Sequence, residues 1–199
     1  SCEKLNTIKL PSSLELIDRY AFTSCVSLKE VTIPKKTVLN GSFSRCTGLK
    51  TVYLNNAVIG MESFRDCTSL NKVVLSNSVT DLGMYAFGGC SALTEITIPA
   101  SVEVIETNAF DGCSMLKTVK FLGNAPEIQF NAFKRVVATV NYPFTAWGWA
   151  DKINNDYGGT LTWIPKCFND HVNDGGTVTV PPTCTEEGLM TFACVNCGE

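Results

Sequence analysis

Ten cysteines and one histidine have the broadest chemical range in this 199-residue chain, and spacing divides the cysteines into two groups. Cys2, Cys25, Cys46, Cys67, Cys90 and Cys113 recur at intervals of 23, 21, 21, 23 and 23 residues. Cys167, Cys184, Cys194 and Cys197 fall within the last 33 residues at unrelated spacings. Thiolates act as nucleophiles, disulfide partners or soft metal ligands. Residues repeated in register on a parallel sheet stack ~4.8 Å apart, within the Cα range of a disulfide. Ladder side chains, however, point the same way rather than at each other, and free cysteine is among the most buried residue types. The six registered cysteines are therefore expected to be buried thiols that act as small apolar fillers.

The tail group has a different pattern. His171, Cys184, Cys194 and Cys197 form an H-x12-C-x9-C-x2-C set, and His171 is the only histidine of the chain. A CxxC pair with two further soft ligands suits tetrahedral zinc. Such a site would be structural and closed, because a catalytic zinc keeps an open position. Disulfides such as Cys184–Cys194 compete with zinc in a secreted protein, and an incomplete or disordered tail is the third reading.

Other catalytic chemistry finds little support. With the one histidine in the tail, a Ser-His-Asp or Cys-His site in the rest of the chain is excluded. Glu30 and Glu95 occupy one repeat position three coils apart, ~14 Å at the strand spacing, beyond the ~5–9.5 Å of paired glycosidase carboxylates. Neither GxGxxG nor GxxxxGK[ST] occurs, so no nucleotide loop is indicated. A net charge of -3 gives no bulk electrostatic reason to bind nucleic acid. No apolar run of ~18 residues is present to insert in a membrane. The expectation is a protein that is not an enzyme.

The elements that position these residues follow from the repeat. In Cys90 to Cys113 a cysteine is followed by Leu93, Ile96, Ile98 and Pro99, then Val102, Val104 and Ile105, then Ala109-Phe110. Phe22, Phe43, Phe64, Phe87, Phe110 and Phe133 carry the same period. The strand copies begin at Leu5, Leu28, Leu49, Leu70, Leu93 and Leu116, each ending in an apolar-variable-apolar triplet expected of a half-buried strand. Proline at 11, 34 and 99 ends ladder pairing. A fixed period of 20–30 residues signals a solenoid in which each coil buries its neighbour's apolar side. Leu16, Ile17, Ala21, Phe22, Cys25, Leu28, Val31 and Ile33 are expected to point inward in one coil. The coils around Phe43 and Phe64 are two residues shorter, with Ser for Ala before Phe, and should change the local curvature.

The pattern C-x2-L-x2-V-x-I-P … V-x-x-I-x-x-x-A-F-x-x-C resembles the BspA-type (treponemal-type) leucine-rich repeats of bacterial surface proteins, over about residues 1–165. The resemblance implies an α/β-type solenoid dominated by β. It is a right-handed leucine-rich-repeat solenoid with a parallel sheet on the concave side and less regular convex segments. It also implies extracellular or cell-surface display and a role in adhesion. Residues 1–134 are read as about six coils of 21–23 residues, 135–165 as a C-terminal cap and 166–199 as a small, truncated Cys-rich module. In the cap, Ala138 to Pro143 and Thr160 to Ile164 are expected strands, Trp147 to Asn154 a short helix, and Tyr157-Gly158-Gly159 a turn. Trp147 and Trp149 are explained more simply by covering an apolar end than by a sugar-stacking platform. The text from Pro182 to Gly198 resembles a Cys-rich repeat found in tandem on Firmicutes surface proteins, with Cys167 and His171 matching its leading pair. The chain opens inside a repeat and stops just after a CxxC, and is read as a piece of a longer protein.

A binding role needs side chains on the concave face. The variable strand positions are Lys9, Thr32, Tyr53, Val74, Thr97 and Lys120, with a parallel set at Thr7, Glu30, Thr51, Lys72, Glu95 and Thr118. Tyr53 and Val74 stand out as adjacent apolar groups that could anchor a partner, although strands accept both residues without function. The expected partner is a host protein, a matrix component or a glycan. A rigid spacer and an accessory module of a carbohydrate-active protein are the alternatives.

Overall fold

The computed structural model describes residues 2–55 and 58–166. The chain divides into two units, Ser1–Cys167 and Phe168–Glu199, and the described residues belong to the first. In chain order its strands are β1 (Leu16–Ile17), β2 (Glu30–Ile33), β3 (Val38–Leu39), β4 (Thr51–Leu54), β5 (Val58–Ile59), β6 (Lys72–Leu75) and β7 (Asp81–Leu82). Then follow β8 (Glu95–Ile98), β9 (Val104–Ile105), β10 (Thr118–Phe121), β11 (Glu127–Ile128), β12 (Val137–Pro143) and β13 (Thr160–Lys166). All pairings are parallel, and the described residues contain no helix. The result is a β-solenoid of about six turns.

From β2 to β11 each coil contributes one long and one short strand. The short strands form a continuous six-stranded sheet, β1-β3-β5-β7-β9-β11. The segments expected to be irregular are thus themselves a regular ladder. The long strands form two sheets, β2-β4-β6 and β8-β10-β12-β13. Period-2 alternation explains their burial. Val31, Ile33, Val52, Leu54, Ile96, Ile98 and Val119 enter the core, while Glu30, Thr32, Glu95 and Thr97 face out. The long-strand sheet is interrupted between β6 and β8, whereas β2, β4 and β6, which flank the shorter coils, stay paired over four residues. Links from long to short strand run 34–37 and 55–57 before the break, and lengthen to 76–80, 99–103 and 122–126 after it. Val73 and Leu75 of β6 are only partly buried, unlike their buried equivalents on β4 and β8. The longer link by itself does not interrupt the ladder, because β8 and β10, with links of the same length, stay paired over four residues.

The turn after each short strand carries the phenylalanines and cysteines. The rings of Phe22, Phe43, Phe64, Phe87, Phe110 and Phe133 stack with centroids 5.0–5.6 Å apart. Each of these N–H groups donates to a carbonyl of the following coil, at Ser42, Ser63, Ala86, Ala109, Ala132 and Tyr157, over 2.8–3.0 Å. The backbone reaches this geometry through left-handed residues on either side of the ring. Tyr20, Glu62, Tyr85, Asn108 and Asn131 precede it, with φ between +55° and +64°. Ser24, Arg45, Asp66 and Arg135 follow it, with φ between +57° and +63°. A left-handed non-glycine residue costs ~1–2 kcal/mol, which the inter-coil hydrogen bonds and ring burial offset.

The structure corrects several expectations. Leu5 to Leu10 is not a strand: alternation makes a strand only where the main chain also meets a ladder partner, and β2 pairs with β4 alone. Leu16 is exposed, since alternation in β1 lets only Ile17 face the core. Ala21 is exposed and Phe22 only partly buried, whereas Ala86, Ala109 and Ala132, covered on both sides, are buried. Residues 147–154 form turns rather than a helix; Gly148 sits at φ +83° against Ala125, a conformation no helix accepts. The strands at 138–143 and 160–164 and the turn through Gly158 lie where expected.

Candidate binding face and thiol ladder

The cysteines are more than fillers. Cys25, Cys46, Cys67, Cys90 and Cys113 are buried and free, while Cys2 is exposed. The Cys46, Cys67, Cys90 and Cys113 thiols donate to the carbonyls of Phe22, Phe43, Phe64 and Phe87, over 2.9, 3.2, 3.2 and 3.1 Å. Backbone bonds in this turn run forward to the next coil and the thiols run back to the previous one. Cysteine suits the position because it is small enough for the core and still donates. Burial pushes the Cys46 and Cys113 thiols up to about 12 and those of Cys67 and Cys90 well above 9.0. A thiol held neutral is neither nucleophile nor metal ligand. The ladder is structural.

The outward positions of the long strands form registered rows. Thr32, Tyr53 and Val74 lie side by side on β2, β4 and β6. Thr97 and Lys120 lie side by side on β8 and β10. The break between β6 and β8 separates these two groups, and Lys9 lies on no strand. The second row runs Glu30, Thr51, Lys72, then Glu95 and Thr118. Both rows extend further than the repeat predicts. Thr139 and Thr162 continue the Thr118 row, and Asn141 and Ile164 continue the Lys120 row, on β12 and β13. The repeat signature stops at Phe133, so only the alternation of 137–143 and 160–164 could have revealed them.

Tyr53 is half-buried and Val74 is 39% exposed. The Lys72 ammonium lies 5.8 Å from the Tyr53 ring centre, a cation–π contact worth ~0.5–1 kcal/mol at a surface. Thr118, Thr139 and Thr162 place three hydroxyls in a row at the ~4.8 Å strand spacing. The face offers hydroxyl, ammonium, carboxylate and aromatic groups in fixed order, suited to contact over an area.

The tryptophans separate. Trp149 is buried, with ring contacts to Phe121 at 4.8 Å and Tyr142 at 5.1 Å, and its indole N–H donates to the Gly123 carbonyl over 3.2 Å. Trp163 packs 5.8 Å from Trp149. The carbonyls of Tyr157 and Gly158 receive the N–H groups of Phe133 and Arg135. Trp147 is 81% exposed, so covering an apolar end accounts for Trp149 and Trp163 but not for it. Cys167, His171, Cys184, Cys194 and Cys197 lie outside the described residues.

Residues 1–58 and 55–146 match the model of the BspA type leucine rich repeat region, in six copies. No curated protein matches the sequence. Two solved structures share the fold. A leucine-rich repeat protein from Bacteroides ovatus aligns with a TM-score of 0.56 at 24% identity, over 78% of this chain and 47% of its own. The leucine rich repeat protein of T. pallidum aligns with a TM-score of 0.58 at 23% identity, over 78% of this chain and 85% of its own. The chain thus spans about half the length of the Bacteroides ovatus protein. Six registered coils, the stacked phenylalanines and the matched repeats place this chain in the BspA-type leucine-rich repeat family.

Proposed function

We propose that this chain is a non-enzymatic binding protein of the bacterial surface or exterior. Its long-strand face would contact a host protein, a matrix component or a glycan. The observation that supports this reading is the registered row Thr32, Tyr53, Val74, in which a half-buried aromatic adjoins an exposed valine. Rigid aromatic anchors carry a large share of interface energy. Folded 1–199 protein is screened against matrix proteins and glycans, alongside the Tyr53→Ala/Val74→Ser variant. Capture by the parent and loss in the folded variant supports the proposal; equal capture by both overturns it for this row. A rigid spacer is the second reading, favoured by the unbroken stack of six phenylalanines. It predicts no capture at all.

For residues 166–199 we propose a structural zinc held by His171, Cys184, Cys194 and Cys197. Roughly one equivalent of zinc, lost on His171→Ala, is the expected result. Metal-free protein with paired tail cysteines would replace zinc with disulfides.

A further inference from the structure

Charge is sorted between the two sides of the solenoid. The long strands, taken with one residue on either side, carry six lysines, Lys29, Lys50, Lys72, Lys117, Lys120 and Lys166, against Glu30 and Glu95. The short strands, taken the same way, carry six acids, Glu15, Asp18, Asp81, Glu103, Glu106 and Glu127, and no Lys or Arg. Formal charge is +4 on one side and -6 on the other, in a chain whose net charge is -3. The sorting does not rest on the first coil. Without β1 and β2, five lysines still oppose one glutamate on the long-strand side, and four acids remain on the other. Lys29, Lys50, Lys72 and Lys117 are exposed. Lys29 and Lys50 flank the paired strands β2 and β4 in register, ~4.8 Å apart at the backbone, where like charges repel until an anion joins them. Arg65 and Arg135 of the turns, by contrast, are paired where they stand, with Glu62 and Asp111.

We propose that the long-strand side binds an acidic polysaccharide, a linear glycan bearing carboxylate or sulfate groups, laid across the strands. A polyanion is drawn to the basic side and repelled from the acidic one, so charge selects the face as well as the ligand. In the two outward rows the apolar groups are Tyr53 and Val74, side by side, and Ile164 on β13. That is too little for the desolvated apolar core of a protein interface. One aromatic is too short a stacking platform for single-stranded nucleic acid. Hydroxyls are plentiful, with Thr118, Thr139 and Thr162 in register on β10, β12 and β13, and each donates to and accepts from a sugar hydroxyl. The proposal names the partner class of the long-strand face and rests on the reading of that face as a binding surface.

The test titrates the full chain with polygalacturonate and with dextran sulfate, using uncharged dextran and polyglutamate as controls. Saturable binding to at least one acidic glycan is expected, about tenfold or more tighter than to either control and weakened by salt. Which of the two binds tells carboxylate from sulfate. Lys50→Asn/Lys117→Thr gives both positions residues that Asn71 and Thr94 already supply in other coils, so Tm should hold while binding falls about tenfold. Lys134→Asn/Lys152→Asn removes the same charge from the turns and should leave binding within about twofold. Absence of binding to both acidic glycans, equal binding of dextran, or a long-strand variant that binds no more weakly than the turn variant overturns the proposal. Equal binding of polyglutamate also overturns it and makes the partner an acidic protein. The Tyr53→Ala/Val74→Ser variant separates the two readings. If it loses a neutral glycan or matrix protein that the parent captures, while neither acidic glycan binds, the acidic-glycan proposal alone fails. If the parent captures nothing, both fail.

Discussion

The two sides of each coil tolerate change differently. On the turn side, the short strands and the phenylalanine stack run without a break from Phe22 to Phe133, and thiol bonds join the coils from Cys46 to Cys113. On the long-strand side, the sheet breaks between β6 and β8 although the alternating pattern continues through both. The distance in sequence from ladder cysteine to long-strand end is constant, from Cys25 to Ile33 and from Cys113 to Phe121 alike. Length varies mainly in the link to the next short strand. The side held by three kinds of bond keeps its register, and the side held by one sheet ladder is the one that is interrupted.

Breaking the stack should have the largest effect. Phe64→Ala, at a fully buried site between two stacked rings, is expected to cost about 3–5 kcal/mol in denaturant unfolding. Phe22→Ala, at the half-buried end of the stack, should cost clearly less; equal losses would mean that stacking, not burial, sets the energy. Cys67→Ala removes a buried thiol and its bond to the Phe43 carbonyl, for an expected loss of about 1–3 kcal/mol. If the alanine variant is as stable as the parent, the thiols are fillers after all.

The same ladder should make the protein sensitive to alkali. Burial raises the Cys46 and Cys113 thiols from 9.0 to about 12 and those of Cys67 and Cys90 well above 9.0 in the folded state. Between those values the unfolded chain binds fewer protons than the folded one, so stability is complete below pH ~9 and falls as pH rises toward ~12. Each thiol contributes at most ~1.4 kcal/mol per pH unit over that window. Thermal unfolding of parent and Cys67→Ala at pH 8 and 10.5 should show a shallower decline in the variant; parallel declines would assign the effect to other groups.

On the long-strand side, Tyr53→Ala/Val74→Ser should cost no more than ~1–1.5 kcal/mol, because the pair contributes a surface cation–π contact and partly exposed area. A larger loss would mean that these residues hold the sheet together. The smallest expected change is local. Deleting Asn77 and Ser78 shortens the link 76–80 to the length found at 55–57; because the equally long link 99–103 leaves β8 paired with β10, β6 and β8 are expected to stay unpaired. Unchanged exchange of the main-chain amides of Glu95 to Ile98, with little change in Tm, is the expected result; slower exchange would make the link the cause of the break.

Much of this was legible in the residues. Period and apolar pattern identify the coils, the inward face and the candidate row, since each coil repeats one set of packing demands. Cys67 shows where reading stops. Its spacing marks it as buried, but its bond to the Phe43 carbonyl depends on two coils meeting at a particular height. Leu5 to Leu10 carries the same strand pattern as Leu28 to Ile33 yet pairs with nothing, because pairing depends on neighbours and pattern does not. Thr139, Asn141, Thr162 and Ile164 join the outward rows without belonging to the repeat signature.

The sequence by itself determined the solenoid, its six phenylalanine positions, the burial of the thiols and the alternation that sorts Val31 from Thr32. These follow from local spacing and from the free energy of burying apolar surface. Only the tertiary structure decided the left-handed turns, the direction of the thiol bonds and the break between β6 and β8. Those depend on the fit of one coil against the next, which decides which backbone groups meet.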